Sequence, residues 1–206
     1  MAKKAVEEKS KIVTLPEGRL INSSLFVKDQ FDEKSTPSYK CEMAYDMDDE
    51  DTILDYIFDV AIEEFGEAIE DDDDFICPLL SGDKMAKKRE KKGKDGDAYK
   101  GKLVLRAKTN FNFDGADAAG GIQVYDEEVE LIEIGGSKAI YSGCYGKMAV
   151  EFKTYEDRDG NPAATAYLTS FQKTADGERL VTSSDHSSLF DKVADGKKRS
   201  KRKTRG

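Results

Sequence analysis

Apolar and polar residues alternate most cleanly in two stretches, Tyr141 to Tyr155 and Ala163 to Lys173, joined by the turn sequence Asp157-Arg158-Asp159-Gly160-Asn161-Pro162. In the first stretch the even positions Cys144, Gly146, Met148, Val150, Phe152 and Thr154 are mostly apolar. The odd positions Tyr145, Lys147, Ala149, Glu151, Lys153 and Tyr155 carry rings and charges. This period of two predicts a strand with one core face and one solvent face. Leu103, Leu105 and Ala107 alternate in the same way with Val104, Arg106 and Lys108, which predicts a central strand with a basic outer face. Nearer the N-terminus, a first strand is expected from about Arg19 to Lys28, followed by a polar connection over Asp29 to Thr36. A second strand is expected over Pro37 to Tyr45, with Tyr39, Cys41, Met43 and Tyr45 inward and Lys40 outward.

Between these strands the period changes. Ile53, Leu54, Ile57, Phe58, Ala61, Ile62, Phe65 and Ile69 recur at helical spacing, so Asp51 to Ile69 is expected as one amphipathic helix packed on the core. Acids crowd its first turn, where the helix dipole favours them. The run Glu70 to Asp74 would be unfavourable at a helix C-terminus and is expected as an exit loop before Phe75 to Leu80. Residues 1 to 15 are expected as a flexible arm. Residues 81 to 101 form an insert rich in lysine and glycine, with Lys84, Lys87, Lys88, Arg89, Lys91, Lys92 and Lys94. Such composition buries too little apolar surface to order itself, so the insert is expected as a mobile loop, either idle or closing as a basic flap over a ligand. Phe111 and Phe113 share a face in Asn110-Phe111-Asn112-Phe113. The glycine-rich stretch 115 to 121 leads into Ile122 to Ile134, expected as a hairpin or excursion outside the central sheet. The whole is a mainly β chain with one long helix, an α+β class, suited to an antiparallel β-barrel with inserted loops.

At 36% charged and 38% hydrophobic residues, much of the 206-residue chain must be solvated. No apolar run approaches the roughly 20 residues that cross a bilayer, and Met1 to Lys11 lacks an apolar signal-peptide centre, so no membrane or secretory role is expected. Cys41, Cys77 and Cys144 are odd in number and have no CxxC spacing, which reads as reduced core thiols. A chain with one histidine, His186, offers few ligands for zinc, and no metal or cofactor is expected. His186 lies beside Asp185 without a nucleophile elbow and reads as a surface residue. The acidic clusters at Asp46 to Asp51 and Glu70 to Asp74 could be imagined as Mg²⁺ sites of a nuclease, but contiguous acids fan apart rather than converge. There is no phosphate-binding P-loop.

The net charge of −9 opposes a polyanionic partner, yet its distribution is uneven. Lys197, Lys198, Arg199, Lys201, Arg202, Lys203 and Arg205 put seven cations and no acid into the last ten residues, leaving the rest at −16. Local potential within about 10 Å decides binding at physiological salt, so net charge settles little. The odd face of the strand at 145 to 155 offers rings that stack on bases and ammonium groups that meet phosphates, the combination that binds single strands without reading sequence. The same pattern also suits an ordinary half-solvated antiparallel strand.

Tyr141-Ser142-Gly143-Cys144-Tyr145-Gly146 leading into a long strand, and Leu168-Thr169-Ser170-Phe171-Gln172-Lys173 closing a later one, resemble the phage single-stranded DNA-binding proteins. Gly18-Arg19-Leu20 with Leu25-Phe26, and Tyr99-Lys100-Gly101-Lys102 before Ala107-Lys108, are similar too, so the ordered matches span roughly residues 18 to 190. The resemblance implies an OB-fold-like domain over residues 16 to 190, although a typical OB-fold carries its helix between strands three and four. It implies a protein that coats and protects single-stranded DNA in phage replication, recombination or repair inside an infected bacterium, with no catalytic residues. DNA would cross the curved sheet, with Lys40, Arg106, Lys108, Lys147 and Lys153 at phosphates and Phe111, Tyr141, Tyr145 and Tyr155 stacking, Tyr125 being a further candidate. Lys87, Lys88, Arg89, Lys91 and Lys92 of the insert would be accessory. Many such proteins end in an acidic tail that recruits replication enzymes, whereas residues 191 to 206 here form a basic tail, which suits non-specific contact with single strands or duplex. Other replication proteins are possible partners. A metal-dependent DNA enzyme using the acidic clusters and a protein adaptor are the alternative readings.

Overall fold

The longest hairpin forms where the alternation is cleanest. In the computed structural model, which describes residues 11–30, 32–110, 122–133, 136 and 139–180, β7 (Tyr145–Glu156) and β8 (Pro162–Ala175) pair antiparallel along their whole length. The turn between them is held by the Asp157 carboxylate, whose Oδ1 accepts the backbone N–H groups of Asp159 at 2.8 Å and Asn161 at 2.9 Å. Those bonds, the Asn161 one foremost, hold the Asp157 carboxyl below its ordinary range. Gly160 follows at φ 86°, the left-handed region that glycine enters without strain.

The remaining elements are, in chain order, β1 (Ile12–Thr14), β2 (Gly18–Asp29), β3 (Ser38–Tyr45), α1 (Glu50–Phe65), β4 (Leu79–Ser81), α2 (Gly82–Glu90), β5 (Leu103–Thr109) and β6 (Gln123–Tyr125), all before β7. Pairing runs β2 to β3, β3 to β5, β5 to β8, β8 to β7, and β7 back to β2 through Gly18↔Gly146 and Arg19↔Tyr145. One face of these strands is the core. Tyr39, Cys41, Met43 and Tyr45 of β3, Leu103, Leu105 and Ala107 of β5, Met148, Val150 and Phe152 of β7, and Leu168 and Phe171 of β8 are buried together there. Cys41 and Cys144 are buried free thiols, and burial pushes the Cys41 thiol well above its ordinary value. On β8 an irregularity between Leu168 and Ser170 puts Leu168 and Phe171 on the same side, which strict alternation forbids.

Helix α1 buries Ile53, Ile57 and Ala61 and stops at Gly66, whose φ of 89° ends the run and whose N–H caps the Ile62 carbonyl at 2.9 Å. The expected extension to Ile69 is a separate 3-10 turn, Glu67–Asp71, with Ile69 buried. Asp71 to Asp74 are exposed, and of these the Asp74 N–H bonds back to Asp72 Oδ1.

Four expectations are corrected. The sheet is not wholly antiparallel: β5 and β6 both run parallel to β8, because the long chain between β5 and β7 lets strands enter in the same sense. Residues 12 to 15 are not an arm: β1 pairs with β7 and Leu15 is buried. The insert is not an irregular loop. Ser81 caps α2 by accepting the Lys84 N–H, and Met85, Ala86 and Tyr99 pack with Ile21, Ala44 and Val104 as a second cluster on the outer face of the sheet. Composition missed this because three apolar side chains suffice when the sheet supplies three more. Finally, Ile122 and Val124 are buried in the main core and β6 joins the sheet at Ser170 to Gln172, so this segment does not lie outside the sheet, although it does turn back as the expected hairpin, Tyr125 pairing antiparallel with Leu131.

Candidate nucleic-acid interface

The outer face of β3, β5 and β8 carries a continuous furrow. One concavity of about 500 Å³ is lined by Lys40, Lys108, Asn110, Thr165 and Tyr167, among others. A second, sharing Lys40, Lys108 and Thr165, adds Asn22, Glu42 and Arg106. A third of about 700 Å³ shares Asn22, Glu42 and Arg106 and continues to Arg19, Arg89, Tyr99, Ser142 and Arg179. Strand register explains the placement: Lys40 is directly opposite Lys108, and Glu42 directly opposite Arg106, across the β3–β5 ladder. Like charges directly opposite destabilise a sheet. Lys40 is compensated from the side by an ion pair with Asp29.

Helix α2 walls one end. Arg89 donates from Nε to the Asp95 carbonyl at 2.7 Å and lies 4.9 Å over the Tyr99 ring. Arg19 is held by main-chain carbonyls, Gly143 at 3.4 Å from Nε and Glu178 at 2.9 Å from Nη2, and faces the Tyr145 ring at 6.0 Å. Guanidinium groups anchored by carbonyls and rings keep full positive charge and spare N–H donors.

The segment after β8 is fixed beside this end by an ion-pair chain. The almost wholly buried Lys173 bridges Glu127 at 3.1 Å and Asp176 at 2.8 Å. The Tyr141 hydroxyl lies 2.9 Å from Asp176 Oδ1 and accepts the Gly177 N–H at 3.1 Å, and Arg179 covers its ring at 3.9 Å. Lys173, then Tyr141, hold the Asp176 carboxyl below its usual value. A depressed folded pKa contributes stability that is present above the unfolded value of about 3.9 and is lost as pH falls through the folded value. The thermal midpoint is expected to drop as pH falls from about 5 down through the lowered folded value, and to drop less steeply in Asp176→Asn; equal slopes in circular-dichroism melts would remove Asp176 from the acid response.

Of the residues singled out by pattern, Lys40, Arg106 and Lys108 come together in the furrow, and Lys153 adjoins it, 5.5 Å over the Tyr167 ring. Tyr145 is partly exposed beside Arg19. Lys147 and Tyr155 are exposed on β7 but line none of the three concavities. Tyr141 is engaged as described, and Tyr125, half-buried on β6, donates to Gln123 Oε1 at 3.1 Å. Lys87, Lys88, Lys91 and Lys92 are exposed on and after α2, whereas Arg89 turns into the furrow. Phe111 and the tail cations Lys197, Lys198, Arg199, Lys201, Arg202, Lys203 and Arg205 lie outside the described residues. Pattern reading missed Tyr167, Arg19, Arg179, Tyr99 and Glu42. Alternation along Ala163 to Leu168 carries the signal for Tyr167, since Ala164 and Ala166 point inward. The two arginines come from segments distant in sequence, β2 and the stretch after β8, and leave no local signal. No residue of α1 lines the furrow, so the acids of that helix sit apart from it.

A sequence model of the family described as Enterobacter phage Enc34, ssDNA-binding protein, matches residues 11–199. The chain belongs to this family. Among solved structures, the single-stranded DNA-binding protein from bacteriophage Enc34 in a C-terminal truncation has TM-score 0.63 at 18% identity, covering 84% of this chain and 90% of that one. The Enc34 protein in complex with ssDNA has TM-score 0.63 at 17% identity, covering 84% and 91%. Gp2.5, a single-stranded DNA-binding protein encoded by bacteriophage T7, has TM-score 0.56 at 14% identity, covering 88% and 96%. At these identities the structural likeness establishes a shared fold. No curated protein sequence matches the chain. Among the described residues no helix is long and apolar enough to cross a membrane.

Proposed function

We infer that the chain binds single-stranded DNA along the outer furrow, with cations meeting phosphates and tyrosines stacking on bases. The observation that carries this reading is Lys40 directly opposite Lys108, beside Arg106, in one continuous furrow. A cross-strand lysine pair costs stability that a bound phosphate recovers. Membership in a family described by single-stranded DNA binding supports it, as does a protein of the same fold whose structure is in complex with ssDNA. Lys40, Arg106, Lys108 and Lys153 are assigned to phosphates, joined by Arg19, which sequence pattern did not single out. Tyr167 and Tyr145 are assigned to bases. Lys147, Tyr155 and Tyr141 remain peripheral candidates, together with the exposed lysines of α2.

The ring of pairings through β2, β3, β5, β8 and β7 supports an OB-type barrel, the architecture that presents such a face to nucleic acid. The protein is a non-enzymatic coat that protects strands exposed during phage DNA replication, recombination or repair within the infected bacterium. The basic C-terminal residues add affinity for duplex as well as single strands, and the acids of α1 are available to replication proteins. The test is fluorescence anisotropy of labelled single-stranded and duplex oligonucleotides over a salt series, for the whole chain and for one ending at Asp195. Retained single-strand preference in the shorter chain places binding on the furrow; binding that disappears with the tail refutes it. Tyr167→Ala is expected to cost about 1–3 kcal/mol of single-strand affinity, the worth of one stacked base. Unaltered affinity in that variant would move stacking elsewhere.

A further inference from the structure

We propose that Glu42 is an internal anion that competes with DNA phosphate for Arg106, and so moderates both the affinity and the salt dependence of the furrow. The proposal rests on the single-stranded DNA reading. Glu42 and Arg106 face each other directly on β3 and β5. Arg106 Nε donates to Glu42 Oε2, and the Tyr99 hydroxyl donates to Glu42 Oε1 at 2.7 Å. The two partners differ sharply in exposure: the Glu42 side chain is 12% exposed and that of Arg106 56%. The carboxylate is therefore fixed in the floor, while the guanidinium lies on the surface above it.

The second cluster explains how the carboxylate is held. Tyr99 is buried by the packing of α2 on the sheet, and Arg89 covers its ring. Burial and the bond to Glu42 push the Tyr99 hydroxyl well above its ordinary value, so it stays a donor. Glu42 is thus clamped from the insert side and cannot swing away when a strand arrives.

Both Glu42 and Arg106 line the middle of the furrow, where two concavities meet. An Arg fork has five N–H donors, and Glu42 takes the Nε side, leaving the terminal nitrogens for a phosphate. That phosphate meets a charge already partly neutralised, so it gains less and releases fewer counterions than it would on an unpaired arginine. The insert, through Tyr99, thereby weakens binding at the centre of the furrow and favours release of the strand.

The test compares wild type with Glu42→Gln and Tyr99→Phe, using anisotropy of a labelled oligo-dT from about 50 to about 300 mM salt. Glu42→Gln is expected to bind about tenfold tighter at the low-salt end, with its log–log salt slope steeper by about 0.7, the increment of one phosphate contact on a single strand. Tyr99→Phe removes the clamp and lets the carboxylate move off Arg106, so it is expected to tighten binding and steepen the slope in the same direction as Glu42→Gln but by less. Glu42→Asp withdraws the carboxylate by one methylene and is expected to steepen the slope less, serving as the decisive variant if Glu42→Gln does not fold. An unchanged slope in the Glu42 variants, or unchanged binding in Tyr99→Phe, overturns the proposal and leaves Glu42 as a tie between sheet and insert. Wild type that fails to bind the oligonucleotide overturns the DNA reading itself, and the proposal with it.

Discussion

Lys108→Glu is expected to weaken single-strand binding by roughly thirtyfold or more, about 2 kcal/mol, because it removes a phosphate contact and puts a repelling charge in its place. The same change is expected to stabilise the fold slightly. Lys108 faces Lys40 across the β3–β5 ladder, and an opposite-charge pair at such a site contributes about 0.2–1 kcal/mol relative to an alanine pair, whereas a like-charge pair destabilises. A gain in stability coupled to a loss of binding is a signature that a scaffold residue would not give. Anisotropy titrations read the first effect and denaturant unfolding reads the second. Retained affinity would remove this part of the outer face from the DNA path. Lost affinity with a lowered midpoint would mean that the lysine supports the sheet instead.

Gly146→Ala is expected to lower stability by about 2–3 kcal/mol, the cost of overpacking a filled interior. A Cβ at Gly146 would sit 2.4 Å from the Phe171 ring and 2.5 Å from the Gln172 carbonyl oxygen. The neighbour cannot yield cheaply, since Phe171 is itself fully buried in the main core. Across the β2–β7 pairing, Gly18 faces Gly146, and a Cβ at Gly18 would meet the Tyr45 ring at 2.8 Å. The ring of strands closes where two glycines let backbones and rings approach. For a domain of this size the expected fall in the thermal midpoint is about 5–10 °C. Wild-type stability in Gly146→Ala would mean that the packing of β7 against Phe171 and Gln172 of β8 is looser than these distances state. Affinity per folded molecule is expected to survive at temperatures where the variant remains folded, which separates this effect from that of Lys108→Glu.

Much of this architecture was legible in local pattern. The alternation of Cys144 to Thr154 against Tyr145 to Tyr155, of Leu103 to Ala107 against Arg106 and Lys108, and of Tyr39 to Tyr45 against Lys40 assigned the buried faces of three strands. Helical spacing from Ile53 to Phe65 located α1, although Gly66, not the end of the apolar stripe, terminates it. The insert was misread because its own composition is polar. Met85, Ala86 and Tyr99 order it only by docking on Ile21, Ala44 and Val104, residues drawn from three strands. The parallel entry of β5 and β6 beside β8 was likewise invisible, since alternation reports which face is buried and carries nothing about the direction of a neighbour.

Of the candidate site, Lys40, Arg106 and Lys108 were readable as outward cations on their strands. Their convergence was not, because it depends on register: one residue of slip would set Lys40 against a buried alanine instead of Lys108. The arginines at the far end, Arg19, Arg89 and Arg179, come from β2, α2 and the segment after β8, and meet only once the sheet has closed. By itself the sequence determined which faces of three strands are buried, where the long helix begins and that cations and rings share the solvent faces, since hydrophobic period is a local property of the chain. The tertiary structure alone decided that β3, β5 and β8 lie side by side, that the insert packs as a wall on their outer face, and that Glu42 sits clamped beneath Arg106. Those outcomes depend on contacts between residues far apart in sequence, which no local periodicity encodes.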